Sequence, residues 1–260
     1  MGDKMRIVLI VLIGVLSSSF AWDRAEASSP TASTTAAVAG LQVQSTAKVY
    51  DLKDRTKHLY NFKNEVEMSG DTKKMIATYT DLDGKLLVHE TTILIHVDGK
   101  ESLVSYELDH KQMGATGKIE VRDGRAHFTY TKDGETKTAS EKVGDDFIIS
   151  TMIVGFLGRN WEKIKKGESL KVRLGVVDRR ETVGFSYKKE SESAEGVKVK
   201  MRPSSMIIAA IVNPLIWTME PGGSFLKELE GRSPVKTADG GKFKDFDGYT
   251  VYTQGVQKAQ

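Results

Sequence analysis

The sequence contains no cysteine. That excludes disulfides, thiolate nucleophiles and thiolate metal sites, and it excludes a lipoprotein acylated on an N-terminal cysteine. Proline is scarce as well, with 5 in 260 residues, so little interrupts backbone ladders. Charge of one sign is lacking: 38 basic residues face 35 acidic ones, a net charge of +3. The basic pairs Lys165-Lys166, Arg179-Arg180 and Lys188-Lys189 have acidic neighbours and read as solvated turns and strand edges. No nucleic-acid partner is expected, since that needs clustered Lys and Arg with exposed aromatics.

Catalytic motifs are missing too. No Gly-x-Ser-x-Gly elbow, phosphate-binding glycine loop or His-Glu-x-x-His helix occurs. The histidines are His58, His89, His96, His110 and His127. His89 and His96 are seven apart on one expected strand, so they face opposite ways and cannot share a metal. Asp81-Leu82-Asp83-Gly84 lacks the third acidic ligand and distal Glu of a calcium loop and reads as a hairpin turn. The carboxylate pairs Asp145-Asp146 and Asp245/Asp247 suit a helix cap and a turn. No catalytic residue, metal ligand or cofactor is nominated.

What is present begins with a targeting segment. Asp3, Lys4 and Arg6 precede the aliphatic run from Ile7 to Leu16, followed by serines and Ala25-Glu26-Ala27. This pattern predicts a signal peptide over 1–27 with cleavage before Ser28; Ser19-Phe20-Ala21 is a second site. The run is roughly half the 20 residues or so a spanning helix needs, so no transmembrane anchor is expected after cleavage. Export without cysteine, and without an Asn-x-Ser/Thr sequon, points to a bacterial periplasm. Residues 28–45, rich in Ser, Thr and Ala, read as a disordered leader before a single β-rich domain over 46–255.

That domain is dominated by alternation. Tyr60, Phe62, Val66 and Met68 share a face, as do Leu87, Ile93, Ile95 and Val97, then Val104, Tyr106 and Leu108. Asp-Gly turns at 83–84, 98–99, 123–124, 133–134, 239–240 and 247–248 predict sequential hairpins. The expected fold class is all-β, mainly an antiparallel meander in a curved sheet or half-barrel. One amphipathic helix is expected over 146–166, with its stripe at Ile149, Met152, Ile153, Phe156, Leu157, Trp161 and Ile164. Asp145 or Asp146 would cap it and Gly167 would end it. Met206 to Val212 is apolar without alternation, either a buried helix or a doubly buried strand.

From Trp161 onward, "WEKIKKGESLKVRL", "KVKMRPSS" and "IWTMEPGGSFLKELEGRSPVK" resemble an uncharacterised family of bacterial periplasmic domains. The resemblance implies a half-barrel akin to the envelope lipoprotein carriers, a curved antiparallel sheet with helical cover on its concave face. It brings no catalytic residues.

Three functions follow as expectations. The first is a soluble periplasmic protein binding an apolar ligand or lipid in the half-barrel cleft. Its candidate lining is Met152, Phe156, Trp161, Met206, Ile207 and Trp217, all equally placed to be plain core. The second is a binding or scaffolding module for an envelope protein. The third is a hydrolase with a site assembled from scattered residues, and the balance of motifs is against an enzyme.

Overall fold

The computed structural model describes residues 41–97, 99–205 and 213–255. The expected signal peptide, most of the leader, and Met206 to Val212 lie outside the described residues. One 15-stranded sheet organises the rest. Its first half runs β1 (Gln42–Asp51), β2 (His58–Ser69), β3 (Thr72–Thr80), β4 (Leu86–Val97), β5 (Lys100–His110), β6 (Ala115–Arg122), β7 (Arg125–Lys132) and β8 (Glu135–Lys142). The second half runs β9 (Phe147–Ile148), β10 (Leu170–Val176), β11 (Glu181–Ser193), β12 (Gly196–Pro203), β13 (Leu215–Met219), β14 (Leu226–Asp239) and β15 (Lys242–Gln254). Neighbours in sequence are neighbours in space, and β1 pairs with β15 to join the halves. Every ladder is antiparallel except β9 with β10. The meander therefore stands as expected, and β1 already begins at Gln42, inside the stretch that composition assigned to the leader.

The turns follow their chemistry. Asp123-Gly124 and Asp133-Gly134 have positive φ at both residues, the geometry of tight hairpins. Two expected turns move. The β14–β15 turn is Gly240-Gly241, one residue beyond Asp239-Gly240. Asp247-Gly248 is no turn at all and lies within β15, with Gly248 opposite Gly231 of β14. A Cβ at Gly248 would sit 2.7 Å from the Phe246 ring and 3.2 Å from the Tyr50 carbonyl oxygen, so this glycine serves close approach.

The alternation in β4 and β5 also differs from expectation. Val88, Glu90, Thr92 and Leu94 are buried, whereas Ile95 and Val97 are 42% and 50% exposed. A bulge skips Val104, so Leu103 and Tyr106 face inward together. A bulge of one residue exchanges the two faces of a strand, and the buried face of β4 carries a carboxyl group, Glu90.

The sheet's two outermost strands, β8 and β9, are consecutive in the chain. Five Cα–Cα steps from Lys142 to Phe147 span at most about 19 Å, so the edges must meet. They meet by overlap. Gly117 on the inner face of β6 lies against Val177, and a Cβ there would be 2.7 Å from its methyl. Gly175 of β10 lies against Phe147 and Ile119 in the same way, at 3.0 and 3.3 Å. Along the seam Glu141 of β8 accepts from the Thr182 amide and hydroxyl at 2.9 and 2.7 Å.

The expected long helix is broken into pieces. Phe147 and Ile148 form β9, a 3-10 turn covers Ser150–Met152, α1 spans Ile153–Arg159 and α2 spans Trp161–Lys165. Asn160, at φ −107° and ψ 18°, separates the helices. No side chain caps α1; Asp145 pairs with Lys100, and the Asp146 carbonyl accepts the Arg173 amide. Gly167 ends α2 in the left-handed region, as expected. The apolar stripe is real: Ile149, Met152, Ile153, Leu157, Trp161 and Ile164 are all buried against the sheet.

A turn from Glu220 to Gly223 holds α2, because the Trp161 indole N–H donates to the Pro221 carbonyl at 3.0 Å. Gly223 has φ +78°, and a Cβ there would enter the Trp161 ring. Gly223→Ala is expected to cost about 1–3 kcal/mol in a urea melt, from overpacking and backbone strain together. An unchanged midpoint would show that this turn does not hold the helix.

Candidate functional site

The inner face of the sheet carries two cores. The larger collects Met75, Leu94, Tyr106, Ile119 and Phe128 from the first half with Val172, Tyr187, Val199, Met201, Trp217 and Met219 from the second. The helical segment packs on both sets at once. The smaller core unites Val49, Tyr79, Val88, Val235 and Phe246. There a two-residue bulge at Pro234-Val235 presses β14 inward. Gln112 exchanges hydrogen bonds with the Lys236 backbone at 3.0 and 2.9 Å, and His110 Nε2 lies 3.2 Å from the Pro234 carbonyl. That end is thus closed by sheet on sheet, and the helices cover the rest.

Four of the six predicted lining residues are described, and the fold brings them together. Met152, Trp161 and Trp217 are buried within the larger core, while Phe156 is half-buried against it, its ring 5.9 Å from that of Tyr187. Met206 and Ile207 lie outside the described residues. Tyr187 of β11 stands in the same core. It is fully buried, and its hydroxyl has no partner among the described residues. The Trp217 indole N–H shares that condition. Burial alone pushes the Tyr187 hydroxyl far above the ordinary phenol range, so it is a donor at every working pH.

Two grooves open on the surface. One of about 400 Å³ lies on the outer face of β4–β7, lined by polar residues such as His89, Thr91, Asp109, Thr116 and Lys118. The other, about 370 Å³, lies beside β12–β15 and carries Glu195, Glu220, Glu228, Lys227, Phe225 and Tyr252. None of the predicted lining residues borders either groove. Among the described residues no group of three His, Asp or Glu side chains could hold a metal, and no helix is long and apolar enough to cross a membrane.

An ion triad fastens the cover. Glu101 of β5 sits between Lys73 of β3 and Arg159 of α1, its own side chain 7% exposed. Burial by itself would raise the Glu101 carboxyl; Lys73 and Arg159 outweigh burial and hold it below the ordinary glutamate range. A carboxyl depressed in the fold adds stability above its unfolded value and loses it as pH falls toward the folded value. Glu101→Gln is expected to cost about 1–3 kcal/mol at pH 7 and progressively less below about pH 4.5. Urea melts of both proteins at pH 7 and at mildly acid pH check this, and a pH-independent difference would refute it.

No protein-family model and no curated protein matches the chain. Two solved structures are similar to it. One is a β-barrel-like protein of a domain of unknown function, DUF1849, from Brucella abortus, at 12% identity and TM-score 0.46, covering 84% of this chain and 98% of that one. The other is a porin-like protein from Bacteroides uniformis, at 9% identity and TM-score 0.24, covering 82% of this chain and 97% of that one. Neither likeness bears on what this chain binds.

Proposed function

We propose that the chain is an exported, soluble periplasmic protein that holds an apolar ligand or lipid between the inner sheet face and the helical cover. The signal-peptide pattern before Ser28 supports export. The observation that carries the binding reading is the pair of unpartnered donors, Tyr187 Oη and Trp217 Nε1, within an otherwise apolar interior. A buried donor left unpaired costs about 1–3 kcal/mol. Acceptor oxygens on an apolar ligand, such as the carbonyl of an acyl chain, are the groups that such donors take. Met152, Met201 and Met219 in the same wall adapt to varied chain shapes.

The scaffolding reading has one observation of its own. β8 pairs only with β7 and exposes side chains on both faces. Glu135, Lys137 and Lys142 charge that edge, which is how sheets guard edges against foreign strands. The hydrolase reading gains no metal-binding cluster among the described residues.

Tyr187→Phe separates ligand binding from plain packing. It is expected to leave the unliganded protein as stable or up to about 1 kcal/mol more stable, and to weaken uptake of a fluorescent fatty acid severalfold. Native mass spectrometry of protein purified from the envelope should show a co-purifying lipid. Absence of both lipid and fatty-acid uptake overturns the proposal.

A further inference from the structure

Most of the inner face is large and apolar, but one lane across it is not. Register aligns Ser45 of β1 with Asn64 of β2, Asn64 with Ala77 of β3, and Ala77 with Glu90 of β4. Every residue in this row is small or polar. It starts near the rim, where the Asn64 amide donates to Gln44 at 3.2 Å, and it ends at a carboxyl group that is 5% exposed. The adjacent row carries three aromatic rings. Tyr252, Ala47, Phe62, Tyr79 and Val88 stand side by side by the same registers. Phe62 lies 4.9 Å from Tyr79 and 5.7 Å from Tyr252, ring centre to ring centre.

Glu90 is alone in charge. Its one hydrogen bond comes from the Tyr106 hydroxyl at 2.6 Å. The described ion pairs engage many other carboxylates, the buried Glu101 included, and none of them engages Glu90. The titratable groups that face it are Tyr106 from β5, Tyr79 from β3 and Tyr252 from β15, all without positive charge. Burial raises the Glu90 carboxyl, and the Tyr106 bond offsets only part of that. An uncompensated buried carboxylate is costly, so burial favours the neutral form and an arriving cation favours the charged one. Aromatic faces beside it favour the same sign. The groove that Tyr252 borders carries three carboxylates, Glu195, Glu220 and Glu228, against one lysine.

We propose that the Ser45–Glu90 lane receives the ammonium head of an amphiphile, with Glu90 as counter-ion and Tyr79, Tyr106 and Tyr252 as its aromatic surround. This rests on the apolar-ligand reading above and names the ligand class.

The test uses three probes with one dodecanoyl chain and one amide carbonyl but different heads: N-(2-aminoethyl)dodecanamide, N-(2-hydroxyethyl)dodecanamide and N-dodecanoylglycine. Calorimetric titration of the full chain is expected to rank ammonium first by about tenfold or more, the scale of a charge-assisted hydrogen bond. Glu90→Gln should abolish that ranking while the hydroxyl probe binds as before. The wild type alone provides a second readout. At pH 5 the ammonium probe should release protons on binding, seen as a dependence on buffer ionisation enthalpy, and the hydroxyl probe should release none. Equal binding of the ammonium and hydroxyl probes, an ammonium preference surviving in Glu90→Gln, or no proton release overturns this inference and leaves the apolar-ligand reading standing. Failure of all three probes overturns both. Phosphatidylethanolamine and phosphatidylglycerol in detergent then identify the source. Preference for the ethanolamine lipid marks a lipid head, and preference for the short probe alone marks a free acylated amine.

Discussion

Residues 143–146 impose the constraint on which the rest of the structure depends. They join the two outermost strands of a 15-stranded sheet, so the sheet has to come round on itself. The link is anchored at its end, where the Asp146 carbonyl takes the Arg173 amide beside the short parallel ladder of β9 with β10. The inner face of the sheet is thereby enclosed over most of its strands. The helical segment follows the link directly, so the chain delivers its own cover to the enclosed face. Burial of Leu157, Trp161 and Ile164 against both halves of the sheet is the result.

Much of this was legible in the sequence because its signals are local. The order of sequential hairpins survives into the structure, as do the Asp-Gly turns at 123 and 133. The failures are also physical. Gly248 reads as a turn residue in isolation, and only the close passage of Tyr50 and Phe246 shows why it belongs within a strand. The stripe over 146–166 marked the buried face of the cover, but hydrogen bonding of Phe147 and Ile148 to β10 claims its first residues for the sheet. Closure itself joins residues far apart in sequence, and no periodicity records it.

The candidate site divides in the same way. Met152, Phe156, Trp161 and Trp217 stand out as large apolar residues on a helical stripe or a short strand, and they do converge. Glu90 was hidden by the register of β4, where the apolar alternation through Ile93, Ile95 and Val97 marks the wrong face. An acid flanked by Val88 and Leu94 at even spacing was the available signal. Tyr187 gave none, because an unpaired hydroxyl is a property of its surroundings and not of its sequence.

The seam at Glu141 and Thr182 has a consequence for the girth of the wall. In a closed barrel, strand number and stagger fix the radius, and both take whole-number values. Here the last turn of the wall is set by how far Val177 and Phe147 lie beneath β6, which is a matter of methyl and ring contacts. Circumference in such a coil is a continuous variable. One margin can slide under the other with every backbone ladder intact.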